Sequence, residues 1–243
     1  EQTIGELAEK LIRVFEARSE DCEILLVNDG SEDGSWNIIR SLASAHSQVK
    51  GINLMRNFGQ HNALLAGIRQ ARGQVIVTMD DDLQNPPEEV PKLLDRVAQG
   101  RDVVYGVPEQ EQHGKFRDTA SVMTKFLMRV GLGFKQANKS SAFRAFRSDL
   151  RRAFEEFDSR FVSIDVLLGW ATDDFDWVAV KHEERTAGKS GYNLEKLFTH
   201  TLNMVTSFST IPLKLAIFVG FAFTVVGLVI LVYIVFNYLA HGS

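Results

Sequence analysis

The sequence predicts an α/β fold built on a Rossmann-like, mostly parallel sheet, and three observations indicate this class. Short β-branched and apolar runs alternate along the chain with segments of helical periodicity, which is the order of a wound parallel sheet. Residues 75–79 are apolar without polar alternation, as in a strand covered on both faces. The 243 residues suffice for one large α/β domain and an appendage.

The first half of the chain supplies most of this alternation. Apolar residues at helical spacing predict helices, and β-branched runs bounded by Gly, Asp or Asn predict strands. Ser31 or Asp33 is a candidate cap for the helix that begins near Ser35. The predicted order is helix 3–18, strand 22–27, helix from Ser35, strand 49–54, helix 59–71 and strand 75–79.

The second half continues the pattern and then changes character. Trp170 and Trp177 are expected in the core and not in a sugar-binding platform. The remaining predicted elements are helix 91–98, strand 102–106, helix 115–130, a short strand in 140–147 before a helix at Asp149, helix 161–171, strand 175–181, helix 194–208 and the apolar segment 213–239.

An acidic segment follows the strand over residues 75–79. Asp80, Asp81 and Asp82 come first, then Gln84, and prolines end the strand before the next helix. Ligands of open α/β sheets bind at the carboxyl ends of the strands, so these side chains stand where a ligand is expected. Asp80 and Asp82 can point at one site while Asp81 faces elsewhere. Carboxylates with an amide oxygen suit Mg²⁺ or Mn²⁺ on a diphosphate, although an isolated D-x-D is more often a solvated helix cap.

The run Asp-Asp-Asp-Leu-Gln-Asn-Pro-Pro-Glu over residues 80–88 resembles the D-x-D-L-Q-x-P-P-E segment of polyprenyl-phosphate glycosyltransferases. These are membrane-anchored members of glycosyltransferase family 2, similar to dolichol-phosphate mannose synthase and the bacterial undecaprenyl-phosphate sugar transferases. The resemblance implies a GT-A-type fold, a nucleotide-sugar donor contacted by Asp80, Asp81 and Asp82, and a Mg²⁺ or Mn²⁺ ion on Asp80, Asp82 and Gln84. Asp82 is then also a catalytic residue.

Two further segments match the donor side of this family. Residues 28–34, Asn-Asp-Gly-Ser-Glu-Asp-Gly, are similar to its V-D-D-G-S-x-D-G segment, which implies that Asp29 contacts the base or ribose; the alternative is a plain strand, turn and cap. Residues 184–192 resemble its R-x-x-G-x-S-K-Y loop, which closes over the diphosphate. Arg185 and Ser190 match, and Lys189 is the candidate for the family's lysine. Arg185 is also predicted to be catalytic, since its planar fork suits bidentate phosphate binding.

The acceptor side depends on weaker patterns. Residues 115–130 form a basic amphipathic segment that suits a helix on a membrane surface. Within it Arg117 and Ser121 match an R-x-x-x-S pattern that faces the lipid phosphate in the family, and Arg117 is counted as catalytic; a solvated helix face is the alternative. Arg144 and Ser190 complete the predicted acceptor-phosphate contacts. A general base is dispensable, because a phosphate nucleophile is largely ionised near pH 7.

Residues 213–239 predict a transmembrane helix, since they carry one charge and would extend about 40 Å against a hydrocarbon core of roughly 30 Å. Basic residues are concentrated before this segment, which places the domain on the cytoplasmic face of the inner membrane. The predicted organisation is a catalytic domain over 1–192, a juxtamembrane amphipathic helix over 193–212 and the span over 213–239. A single cysteine fits a reducing compartment, and a net charge of −4 argues against nucleic acid as partner.

The sequence is therefore interpreted as an inverting transferase that moves a sugar, predicted to come from a UDP-sugar, to a polyprenyl phosphate such as undecaprenyl phosphate. The family's first strand and second membrane helix are absent from these residues, and a homo-oligomer is expected by resemblance. A processive polysaccharide synthase is disfavoured because the sequence lacks Q-x-x-R-W. A nucleotidyltransferase is disfavoured by the 80–88 segment, and a non-catalytic membrane-anchored nucleotide-sugar-binding scaffold by the intact acidic and basic site residues.

Overall fold

The computed structural model describes residues 3–109, 139–159, 161–183 and 211–242. Two short 3₁₀ helices, Pro87–Glu89 and Ser148–Phe154, accompany the regular elements. The strands are β1 (Ile24–Asn28), β2 (Val49–Asn53), β3 (Val75–Thr78), β4 (Val103–Pro108), β5 (Arg144–Arg147) and β6 (Phe175–Val180). The helices are α1 (Ile4–Arg18), α2 (Ser35–Ala45), α3 (Gln60–Gln70), α4 (Val90–Ala98), α5 (Ile164–Ala171) and α6 (Ile211–His241).

The six strands of the described residues form two sheets, and one strand of the larger sheet is reversed. β1 and β2 pair in parallel, with Ile24 opposite Val49. The other four strands follow the order β3-β5-β4-β6. β5 runs antiparallel to both β3 and β4, whereas β4 and β6 are parallel, so β3, β4 and β6 share one direction. The prediction of a mostly parallel Rossmann-like sheet is confirmed, with β5 as the exception.

Two apolar clusters cover the opposite faces of the four-stranded sheet. Along β4, Val104 belongs to one cluster while Val103 and Tyr105 belong to the other, as the period of two along a strand requires. Leucines of α1 and α4 fill the first cluster, and leucines of α3 and α5 fill the second. The sheet is thus covered on both faces, as predicted for residues 75–79, and its strand ends form the edge where a ligand can bind.

α6 differs from every other described helix in its surroundings. Its segment Leu213–His241 has 29 residues, a mean hydropathy of 2.9 and no part buried against the rest of the described chain. By length and composition it can cross a membrane, since 29 residues of helix extend about 44 Å. The predicted amphipathic segments 115–130 and 194–208 lie outside the described residues.

The structure corrects two expectations about single elements. Trp170 and Trp177 are 55% and 48% exposed, so the prediction that they belong to the core is wrong. The Lys139 ammonium lies 3.0 Å from the ring centroid of Trp177, a cation–π contact at the surface. The helix predicted at Asp149 is a 3₁₀ helix, Ser148–Phe154. The other predicted strands and helices within the described residues are present, with ends that differ by one to a few residues.

Candidate active site

The acidic segment that follows β3 contains one residue, Leu83, in an unusual backbone conformation. β3 ends at Thr78, and Asp80 follows two residues later at the carboxyl edge of the sheet. Leu83 has a φ of +60°, a left-handed conformation that costs a non-glycine residue about 1 kcal/mol or more. Its side chain is nonetheless buried in the first apolar cluster. The backbone N–H of Gln84 donates to Oδ1 of Asp82 at 3.1 Å, so a tight turn separates the two carboxylates from the next helix.

The carboxylates of Asp80 and Asp82 are electrostatically coupled. The pKa of Asp80 is raised above its ordinary value, mainly because the carboxyl is partly desolvated and then because Asp82 repels its charge. Repulsion from Asp82 exceeds that from Asp81, although Asp81 is adjacent in sequence. Asp81 is exposed, whereas Asp80 and Asp82 are half-buried. This pattern agrees with the expectation that Asp80 and Asp82 approach one site while Asp81 faces away.

Such a pair fits a hard divalent cation. Two partly desolvated carboxylates repel each other, and a cation with oxygen ligands would remove that repulsion. Among the described residues no group of three His, Cys, Asp or Glu side chains is arranged to hold a metal ion, so an ion at Asp80 and Asp82 would need further oxygen ligands. Mg²⁺ commonly uses one or two carboxylates together with substrate phosphates. The two carboxylates therefore suit an ion that is shared with a diphosphate.

Asp29 lies at the end of β1, in the loop predicted to bind the nucleotide. Both of its carboxylate oxygens accept backbone N–H groups, from Phe58 at 2.7 Å and from Gly59 at 2.8 Å. Gly30 has a φ of +67°, and a Cβ there would lie 2.5 Å from the carbonyl carbon of Arg56. The loop after β1 is thus pressed against the loop after β2 and is held there by Asp29.

The segment after β6 meets the acidic segment. The backbone N–H of Glu183 donates to the carbonyl oxygen of Gln84 at 2.8 Å. One residue earlier, His182 Nδ1 lies 3.4 Å from Asn85 Oδ1. The chain therefore leaves β6 directly beside Gln84 and then enters residues 184–192, which contain the predicted diphosphate loop.

Arg144 is placed differently from the prediction that it contacts the acceptor phosphate. It is 1% exposed on β5, and its Nη1 donates to Oδ1 of Asp165 at 2.6 Å. The Tyr105 hydroxyl donates to the same oxygen at 2.8 Å. Burial raises the pKa of Tyr105, and the Asp165 carboxylate raises it further. This arrangement suits an internal ion pair and not contact with an incoming lipid phosphate.

The remaining predicted contacts cannot be located in the same way. Arg117, Ser121, Arg185, Lys189 and Ser190 all lie outside the described residues. Within the described part, the structure brings Asp80, Asp82 and the backbone of Gln84 together at the end of β3.

Sequence reasoning missed two residues that contact predicted site residues, one at Asp80 and one at Arg144. Gln60, the first residue of α3, donates from Nε2 to Oδ1 of Asp80 at 2.6 Å. Asp165, on α5, neutralises Arg144. An arginine inside a buried strand requires a counterion, which is the signal that could have led to an acid elsewhere; no local pattern pairs Gln60 with Asp80.

Comparison with known proteins agrees with this architecture. The family profile described as Glycosyl transferase family 2 matches residues 1–156. An undecaprenyl-phosphate 4-deoxy-4-formamido-L-arabinose transferase of Edwardsiella ictaluri is 36% identical over 233 residues, which cover 93% of this chain and 72% of that protein. A protein of the same description from Shewanella sediminis is 32% identical over 244 residues and covers 100% of this chain and 74% of its own length.

Solved structures show the same fold at lower identity. Mannosyl-3-phosphoglycerate synthase from Rubrobacter xylanophilus superposes with a TM-score of 0.58 at 16% identity, over 85% of this chain and 69% of that chain. Glucosyl-3-phosphoglycerate synthase from Mycobacterium tuberculosis, in complex with Mn²⁺, uridine-diphosphate-glucose and phosphoglyceric acid, gives 0.55 at 21% identity over 82% of this chain and 71% of that chain. These similarities concern the fold.

Proposed function

This chain belongs to glycosyl transferase family 2, and from that premise we propose that it is a membrane-anchored inverting enzyme that transfers a sugar from a nucleotide-diphosphate donor to a polyprenyl phosphate. The similarity of 93% or more of this chain to two undecaprenyl-phosphate sugar transferases supports the acceptor. A UDP-sugar is the proposed donor, and 4-deoxy-4-formamido-L-arabinose, the sugar in the descriptions of both relatives, is the first sugar to test.

The hydrogen bond between Glu183 and Gln84 is the observation that carries the proposal. It ties the exit of β6 to the acidic segment, with 2.8 Å between nitrogen and oxygen. Arg185 follows Glu183 by two residues in the sequence. We therefore propose that Arg185 and Lys189 reach a diphosphate bound beside Asp80 and Asp82, which gives that group cationic and metal-binding neighbours on two sides.

The chemical step is a single displacement. An oxygen of the acceptor phosphate attacks the anomeric carbon, and the bond between that carbon and the nucleoside diphosphate breaks with inversion. The phosphate is already largely ionised near pH 7, so no side chain must remove a proton. A divalent ion, when bound by Asp80 and Asp82 with Gln84, supplies neutralisation of the leaving diphosphate. Asp80 and Asp82 bind and orient, while Asp81 and Asp29 are proposed contacts of the donor.

The acceptor is proposed to be held by residues of the basic amphipathic segment and the loop that follows β6. Arg117 and Ser121 are four residues apart and would share one face of a helix. Together with Ser190 they are the proposed contacts of the lipid phosphate. Arg144 is omitted, because its guanidinium is buried against Asp165.

Membrane attachment is proposed through α6. Its uncovered apolar surface is the property that separates a spanning helix from the core helix of a soluble domain. We propose that the catalytic domain lies on the cytoplasmic face of the inner membrane, and the basic residues on the amino-terminal side of α6 support this through the positive-inside rule. An amphipathic helix over 193–212 and assembly into homo-oligomers belong to the same proposal.

The decisive experiment is sugar transfer in detergent by the whole protein. Undecaprenyl phosphate, Mn²⁺ and a panel of radiolabelled UDP- and GDP-sugars are supplied, each with and without excess EDTA. We expect one UDP-sugar to give a labelled glycolipid that disappears with EDTA. Asp82→Asn serves as the catalytically impaired control.

Three other outcomes would each reject a defined part of the proposal. EDTA-sensitive donor hydrolysis without glycolipid would reject the acceptor. Transfer that is unaffected by EDTA would reject the metal. Tight nucleotide binding without turnover of any donor would favour a non-catalytic scaffold.

A further inference from the structure

Gln60 makes the one side-chain hydrogen bond to Asp80 found among the described residues. Its Nε2 lies 2.6 Å from Oδ1 of Asp80, across 20 positions of sequence. The amide donates to one carboxylate oxygen and leaves Oδ2 without a described protein donor. A neutral donor fixes the direction of a carboxylate without adding the positive charge that would compete with a cation. Gln60 therefore has the properties of a residue that orients a metal-binding carboxylate without itself binding the metal.

The position of Gln60 is fixed by the loop after β1, which contains Asp29. The two residues before it, Phe58 and Gly59, donate their backbone N–H groups to the two oxygens of Asp29. Asn62 Nδ2 donates to the carbonyl oxygen of Phe58 at 2.8 Å, and the N–H of Ala63 donates to that of Gly59 at 3.1 Å, which closes the first turn of α3. The start of α3 therefore has little freedom to move relative to the loop after β1.

We propose that Gln60 is a positioning residue that aims the Asp80 carboxylate at the divalent ion, and that Asp29 transmits the placement of the nucleotide loop to Asp80 through Gln60. This inference rests on the proposed function, because it requires an ion at Asp80. The proposed nucleotide contact Asp29 is thereby connected to the proposed metal-binding residue Asp80. The connection consists of the backbone N–H groups of Phe58 and Gly59 and the side chain of Gln60. Partners that orient metal-binding side chains typically contribute 10- to 100-fold in metal affinity.

Gln60→Met tests the proposal, since it keeps the length of the side chain and removes the donor. The matched control is Gln70→Met, the same change at the exposed last residue of the same helix. Mn²⁺ affinity is measured in detergent on the whole protein with UDP present, by electron paramagnetic resonance of the free ion. Affinity for UDP is measured separately in EDTA.

We expect Gln60→Met to weaken Mn²⁺ binding about tenfold, with UDP affinity in EDTA and the melting temperature close to those of the wild type. Gln70→Met should change none of the three. Gln60→Asn retains an amide at the helix start but shortens its reach, so it should retain the melting temperature and still lose Mn²⁺ affinity. This separates orientation of Asp80 from a role in starting α3.

Two outcomes would overturn the inference while leaving the proposed function intact. Unchanged Mn²⁺ affinity in Gln60→Met would show that Asp80 needs no such support. Equal losses of UDP affinity with and without the ion would show that Gln60 contacts the nucleotide directly. Absence of Mn²⁺ binding by the wild-type protein with UDP would instead reject the metal site itself, and the role of Gln60 with it.

Discussion

Asp29 and Asp80 each follow the carboxyl end of a strand, β1 and β3 respectively, yet their surroundings are opposite. Both oxygens of Asp29 accept backbone N–H groups, so its charge is compensated by the fold. Asp80 receives one amide hydrogen bond and is repelled by Asp82. The first carboxylate joins two loops. At the second, burial and repulsion from Asp82 outweigh the attraction of Arg144, so the pKa of Asp80 is raised. A carboxylate that the fold leaves uncompensated is the better candidate for binding a cation.

Asp165 extends the comparison into the interior. Its Oδ1 accepts from both Arg144 and Tyr105, so its charge, like that of Asp29, is compensated by groups of the protein. These acids differ in their contacts: Asp29 and Asp165 join separate elements of the fold, whereas Asp80 and Asp82 are the acids that we propose bind the ion. Substitutions in the first pair should change stability, and substitutions in the second pair should change turnover.

Asp165→Ala should have the largest effect on stability. It leaves the Arg144 guanidinium buried without its counterion, and breaking a buried pair in this way costs about 3–5 kcal/mol. Thermal unfolding of the whole protein in detergent measures the loss. Asp95→Ala is the control, because Asp95 pairs with Arg18 at the surface, where solvent screens the charges and such pairs contribute little to stability. Equal shifts in the two variants would show that Asp165 does not hold the interior together.

Asp82→Asn should have the largest effect on activity. It removes one of two carboxylates proposed to hold the ion, so we expect turnover to fall at least about 100-fold, with weaker Mn²⁺-dependent donor binding. Asp81→Asn, at the exposed neighbouring position, should be much milder. Steady-state kinetics with a saturating lipid acceptor measure both. Equal losses in the two variants would contradict the assignment of Asp80 and Asp82 to one site.

Asp29→Ala should reduce both stability and donor binding moderately. It leaves the N–H groups of Phe58 and Gly59 without their acceptor, and hydrogen bonds to charged groups contribute about 1.5–3 kcal/mol. A lower melting temperature together with weaker Mn²⁺ binding would support transmission through Gln60. If nucleotide affinity alone falls, Asp29 is a direct ligand and its contacts with the second loop are incidental.

Asp80→Asn should slightly raise stability when no metal is present. The pKa of Asp80 is raised in the folded protein, so its charged form is disfavoured by folding and costs stability near pH 7. That cost diminishes as the pH falls through the raised value, and it is lost below about 4, where the group becomes protonated in both states. Melting temperatures in EDTA should therefore differ at pH 7 and converge toward pH 4. A variant that melts lower than wild type at pH 7 would contradict this environment for Asp80.

The order of strands and helices could be predicted because each depends on local periodicity. The runs at residues 49–54 and 75–79 became β2 and β3 with ends shifted by one residue. The reversal of β5 could not be predicted, since the direction of Arg144–Arg147 is decided by its neighbours β3 and β4 and not by its own residues. Trp170 and Trp177 have core-like composition, but their exposure depends on which neighbours the fold supplies.

The site was predictable to the extent that it is contiguous. Asp80, Asp81, Asp82 and Gln84 lie within five consecutive positions after a strand, so spacing alone suggested which acids point the same way. Gln60 contacts Asp80 from α3, 20 positions earlier in the sequence, and Asp165 contacts Arg144 from 21 positions away. Contacts of this kind follow from the packing of elements across the sheet. Because this packing is not visible in the sequence, Arg144 was predicted to contact the acceptor phosphate, whereas in the structure it pairs with Asp165.

If α6 anchors the enzyme through its uncovered apolar surface, the enzyme and its lipid acceptor meet by diffusion in two dimensions. An enzyme that is anchored by this helix and a polyprenyl phosphate diffuse in the same plane, so their meeting depends on molecules per unit of membrane area. Adding inert lipid would slow transfer at constant bulk concentrations of both. The nucleotide sugar arrives from solution and is governed by ordinary molarity. The two substrates thus obey different laws of dilution.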